Sequence, residues 1–110
     1  MKVISLRHLG CSLHFTFDYN EFDKVFELEE DHRKSAGIQC GNGIWINPSL
    51  KEEEIKKTIV HELCHYLDWL WEAEFKIKNS YDSTEIRARL QQELYVDLIE
   101  IYNKYKKMKK

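Results

Sequence analysis

Residues 58–72 read TIVHELCHYLDWLWE, and the fold turns on which way this run faces. Taken as a helix at 100° per residue, Ile59, Leu63, Leu67 and Leu70 fall within about 80° of one another and form one apolar stripe. His61 and His65 lie on the opposite side, one turn apart, with Thr58, Glu62 and Asp68 flanking them. Imidazoles at i and i+4 on one face can converge on a single tetrahedral ion, so HELCH over 61–65 has the spacing of a zinc site. Glu62 then sits beside the ion without having to ligate it. A carboxylate there can take a proton from a water whose pKa zinc has lowered to about 7. The alternative is the solvated face of an ordinary amphipathic helix; the mid-helix position, opposite the stripe and after a hairpin strand, argues against it.

Upstream of this run, GIQCGNGIWINPS (37–49) places GNG between two short β-prone segments. That predicts a tight hairpin whose turn needs positive φ angles, with IWIN as a strand. Ser49 followed by Glu52 has the form of a capping box, so a helix is expected from about residue 50. Glu52, Glu53 and Glu54 in its first turn suit the positive end of the helix dipole. Further back, VISLRHL and SLHFTFDY on either side of Gly10 predict a pair of strands. NEFDKVFELEEDHRKS, with Phe22, Val25, Phe26 and Leu28 at mostly helical spacing, predicts a short helix.

Downstream, Ile86, Leu90, Leu94, Leu98 and Ile101 recur at three- and four-residue steps, so a second long helix is expected from about Ser83 to beyond Tyr102. FKIKNSYDS (75–83) supplies the turn before it, with Asp82 or Ser83 as its cap. A catalytic zinc held by two histidines needs a third protein donor. The metzincin pattern asks for a His or Asp six residues beyond the second histidine and a Gly three residues before that; Trp71 and Asp68 stand there, and the option fails. The other common plan takes a Glu from the next helix. Glu85 in DSTEIRAR (82–89) meets it, with nineteen residues between His65 and Glu85. Glu93 and Asp97 lie on the same helix and stay open as substitutes, Glu85 and Glu93 being only about 80° apart around the axis.

With these residues in place the chain resembles the zincin metallopeptidases of the glutamate-ligand type, the gluzincins. The HExxH and a Glu on the following helix look like the thermolysin pattern in a minimal domain. STEIRAR is similar to the SEIRA run of a mitochondrial processing metallopeptidase family. The order of strand, spacer, HExxH helix and acid-bearing helix is shared with small phage metallopeptidases and ImmA/IrrE-like regulators. The likeness covers about residues 44–100. It implies zinc held by His61, His65 and Glu85, Glu62 as general base and later acid, and IWINPS near the edge strand against which a peptide substrate lies. Tyr81, Tyr95 and Arg87 are open as groups for the oxyanion. SprT-like proteases also use HExxH, but with a later histidine, and no histidine follows His65.

The remaining sequence sets bounds. A chain of 110 residues with 43% hydrophobic and 33% charged residues is expected to form one folded domain, 1–110. A formal charge of -2 gives it no overall electrostatic reason to bind nucleic acid. The lysines of YNKYKKMKK are expected to end the last helix, at the negative end of its dipole. No apolar run approaches the roughly 20 residues that span a bilayer, so no membrane association is expected. MKVISLRHLG meets His8 and Gly10 before a signal-type stretch can develop, and a cytoplasmic protein follows as the expectation. Cys11, Cys40 and Cys64 form no CxxC pair and are expected as reduced thiols, Cys64 buried and inert. His8, His14 and His32 have no recruiting spacing, and Trp69, Trp71 and Phe75 are expected to close the core beneath the helix pair. Asp68 is either a partner that fixes an imidazole or an exposed acid.

The expectation is therefore an α+β, small zincin-like domain: a short β-sheet with a hairpin, an HExxH helix, and a long C-terminal helix carrying the third ligand. Its function would be zinc-dependent hydrolysis of a peptide or protein substrate. The rival is a latent or non-catalytic zincin-fold regulator whose cleft is covered by its own terminus or a partner.

Overall fold

Gly41 takes φ +54 in the turn that closes the hairpin, the first-position geometry a two-residue loop reserves for glycine. The computed structural model describes residues 1–6, 10–74 and 81–109. Its strands are β1 (Lys2–Leu6), β2 (Cys11–Thr16), β3 (Gly37–Cys40) and β4 (Gly43–Ile46), and its helices are α1 (Tyr19–Phe26), α2 (Glu52–Trp69) and α3 (Tyr81–Met108). A π-helical turn, Leu70–Glu74, continues α2. The sheet order is β1-β2-β4-β3. β1 and β2 pair antiparallel, β3 and β4 pair antiparallel, and β2 runs parallel to β4 with Phe15 opposite Ile44. This is an α+β fold with a small mixed sheet and three helices.

Alternation along β2 and β4 explains the layers. Leu13, Phe15, Ile44 and Ile46 face one side and are buried against Ile55, Ile59, Leu63 and Leu67 of α2 and Leu94 and Leu98 of α3. Trp45 and Gly43 face the other side, under α1: Tyr19 meets Trp45 edge-on at 4.9 Å, and a Cβ on Gly43 would fall within the Phe26 ring. All four residues of β4 are buried. It is an interior strand, and the edge beside the HELCH helix is β3. IWINPS thus holds the strand next to that edge, the non-local pairing of β4 with β2 giving it a neighbour on both sides.

Other expectations are adjusted. The capping box at Ser49 does not form: Asn47 Oδ1 accepts from both Ser49 N and Ser49 Oγ, the latter at 2.7 Å, and Lys51 occupies the N-cap position with no side-chain cap. An Asx turn over Asn47-Pro48-Ser49 has taken the hydroxyl the cap would need. α1 ends at Glu27, at φ 50, so Leu28 falls outside it, and Val25 is exposed. α3 begins at Tyr81, which places Asp82 and Ser83 within it and leaves the position before it, with the rest of 75–80, outside the described residues. Ile86 departs from the buried stripe and is exposed. Trp71 is buried and Trp69 packs against the core, while Phe75 and His8 lie outside the described residues. His14 lies against Ser12 and the edge of Phe26, and the backbone N–H of His32 donates to the Tyr19 hydroxyl. Among the described residues no helix is long and apolar enough to cross a membrane.

Candidate metal and catalytic site

α2 is fixed by burial of Ile55, Ile59, Leu63, Tyr66 and Leu67. Tyr66 adds a hydrogen bond from its hydroxyl to the Ser12 carbonyl at 3.2 Å. With the stripe locked against sheet and α3, the helix cannot rotate, and His61 and His65 are held outward. Both are exposed, as the periodicity required. Their Nε2 atoms stand 3.2 Å apart. Two nitrogen donors on one tetrahedral zinc, each at about 2.05 Å, are about 3.3 Å apart. The imidazole pair therefore already has the separation that a shared ion would set.

Glu62 behaves differently from its neighbours. Its side chain turns inward and is only 7% exposed, while one carboxylate oxygen reaches to 4.0 Å from His61 Nε2. Burial pushes its carboxyl above the usual range, with His61 and His65 pulling the other way. An acid so placed holds a proton more readily than a solvated one, and it does so beside two imidazoles.

An open groove of about 470 Å³ adjoins these groups, lined by Ala36, Gly37, Lys57, Thr58, His61 and Glu62. One wall is α2 and the other is the start of β3. Because Asn47 N donates to Ala36 O at 2.9 Å and β3 pairs antiparallel with β4, alternate residues Gly37 and Gln39 turn their backbone groups away from β4. Ala36, Gly37 and Lys57 were not singled out from sequence. The available signal was a glycine at the first position of a strand, which often marks close approach of another group.

The acids of α3 are elsewhere. Glu85 is exposed, with Oε1 4.0 Å from Arg89 Nε, and Glu93 and Asp97 lie on the outer face of α3 with Arg89, Gln92 and Val96. Among the described residues, no third His, Cys, Asp or Glu joins His61 and His65 in a group able to hold a metal. The structure thus brings together His61, His65 and Glu62 but leaves Glu85 apart from them. Arg87, two residues on, is paired with the Asp68 carboxylate and donates to the Cys64 carbonyl at 3.4 Å. Asp68 is thereby an inter-helix partner, not one for an imidazole. Cys64 is exposed, correcting the expected burial, because α3 meets α2 beside its backbone without covering its thiol.

The donor set offers zinc two positions: the Nε2 atoms of His61 and His65, converging and open to solvent. Compared with protein-family models, curated proteins and solved structures, the chain matches none.

Proposed function

We propose that the protein is a zinc-dependent peptide hydrolase in which His61 and His65 hold the metal and Glu62 is the general base. The observation that carries this reading is the pairing of two Nε2 atoms 3.2 Å apart with a buried carboxylate 4.0 Å from one of them. A solvated helix face gives no reason for an acid to turn inward beside two histidines. When bound, zinc would supply the Lewis acidity that polarises a scissile carbonyl and acidifies a water. Glu62 takes the water's proton on its carboxylate and returns it to the leaving amine, a cycle favoured by a carboxyl whose pKa burial raises above the usual range. The outward backbone groups of Gly37 and Gln39 are suited to receive an extended peptide as an added strand, alongside the groove. Glu85 is proposed as the third ligand, which requires the beginning of α3 to shift from its contact with Asp68.

The test is twofold. Purified protein should carry one zinc per chain, and fluorescein-labelled casein should be cleaved by the wild type but not by Glu62→Gln, which should keep its zinc. Unchanged cleavage by that variant would remove Glu62 from the mechanism. The position of Glu85, turned to Arg89 while Arg87 is held by Asp68, favours a second reading: a latent form that binds zinc yet cleaves nothing freely. Zinc uptake without casein cleavage by the wild type would select it.

A further inference from the structure

We infer that Gly37 is a positioning residue for the Glu62 carboxylate, an inference that rests on the hydrolase reading. A Cβ built on Gly37 would lie 2.8 Å from Thr58 Cγ2, 2.9 Å from the Trp45 carbonyl oxygen and 3.2 Å from Glu62 Cγ. The first two distances are shorter than side-chain packing permits. One of the two groups is backbone of the interior strand β4 and cannot move aside. The missing methyl group is therefore what allows the first residue of β3 to rest directly on α2 at the turn that carries Thr58 and Glu62.

Consequences for Glu62 follow from what surrounds it. Its carboxylate stands 4.0 Å from His61 Nε2, too far for a hydrogen bond to hold it. Its direction is thus set by packing of its methylenes. Thr58 is one turn before it on the same face, and the Thr58 hydroxyl is tied to the Glu54 carbonyl at 2.7 Å, which points the methyl toward β3. Glu62 is left between the Gly37 backbone and the helix surface, with its carboxylate directed along the groove to the imidazoles. A methyl at residue 37 shifts the start of β3 off the Trp45 carbonyl, and with it moves either β3 away from α2 or the Glu62 stem out of this slot. Either movement separates the base from the histidines without touching the histidines themselves.

The experiment compares the zinc-loaded 110-residue chain with its Gly37→Ala variant. Zinc per chain should be unchanged, KM for labelled casein should stay within about twofold, and kcat should fall by about tenfold to a hundredfold, as displacement of a reacting group by about 1 Å does. Thr58→Ser deletes the methyl that meets the new Cβ first but keeps the hydroxyl, and in that background the loss in kcat should be smaller. A second readout needs no activity. Gly37→Ala should lower the urea midpoint in the wild type, and lower it less when Glu62→Ala has emptied the slot. Should Gly37→Ala alone not fold, Thr58→Ser and Gly37→Ala/Thr58→Ser form the pair to compare. Full turnover by the Gly37→Ala chain, or an equal midpoint loss with and without the Glu62 side chain, would overturn the inference. A wild type that cleaves no casein removes the hydrolase reading alone, and the urea comparison still decides whether residue 37 holds residue 62.

Discussion

Glu62 shows how far one residue departs from its helical neighbours. At 100° from His61 it falls at the border between the exposed face and the buried stripe, where periodicity alone assigns neither side. Burial is decided by what lies across from it, and Gly37 lets the strand come close enough to cover it. The outward direction of His61 and His65 was readable from their spacing because it needs only the helix and its stripe. The depth of Glu62 was not, because it depends on a strand some twenty-five residues earlier. At the same scale, Tyr66 anchors the helix by its hydroxyl. Tyr66→Phe should cost about 1 kcal/mol in urea unfolding through the lost bond to Ser12; an unchanged midpoint would assign that anchoring to ring burial alone.

Among the elements, the hairpin, α2 and α3 were legible because each is written in local signals: a GNG turn, a 3.6-residue stripe, a long run of spaced leucines. The identity of the edge strand was not, since β4 acquires its second neighbour from β2, paired in parallel across α1 and the loop that follows. α2 starts close to the expected residue 50, at Glu52, but without the capping box, for a local reason: Asn47 competes for the Ser49 hydroxyl and wins it at 2.7 Å. Asn47 also donates through Nδ2 to the carbonyls of Arg33 and Ser35. Asn47→Ala should therefore destabilise the fold by about 1–2 kcal/mol, whereas Ser49→Ala should fall within about 0.5 kcal/mol of wild type, well below the usual loss of a helix cap. The reverse ranking in denaturant titrations would restore the capping box. On the opposite face of the sheet, Gly43→Ala places a methyl inside the Phe26 ring and should cost about 1–3 kcal/mol by overpacking.

Across the whole molecule, α2 and α3 run antiparallel, pinned by Arg87 to Asp68 at one end and by Lys106 to Glu52 at the other. That register sets which acid of α3 stands near the histidines, and sequence spacing cannot supply it, because the contacts of Arg87 with Asp68 and Lys106 with Glu52 join residues far apart in the chain. Glu85→Ala should weaken zinc binding by more than about tenfold, the scale that even an outer partner of a metal site reaches, while Glu93→Ala and Asp97→Ala should leave it unchanged; the opposite outcome in zinc competition titrations would transfer the role. Stability should also fall in alkali. Burial, with Cys11 alongside, pushes the Tyr66 phenol well above its ordinary value near 10. Above pH 10 the unfolded chain releases that proton and the folded chain keeps it, so stability declines as pH rises beyond this point. A Tyr66→Phe chain should show a shallower decline.

The central claim is that the two imidazoles of α2 are a metal site, and zinc binding tests it most directly. Metal-free wild-type protein, titrated with zinc in a calorimeter, is predicted to take up one equivalent, and His61→Ala and His65→Ala are each predicted to abolish that uptake. A wild type that binds no zinc, or one whose uptake survives the loss of either histidine, would contradict the account.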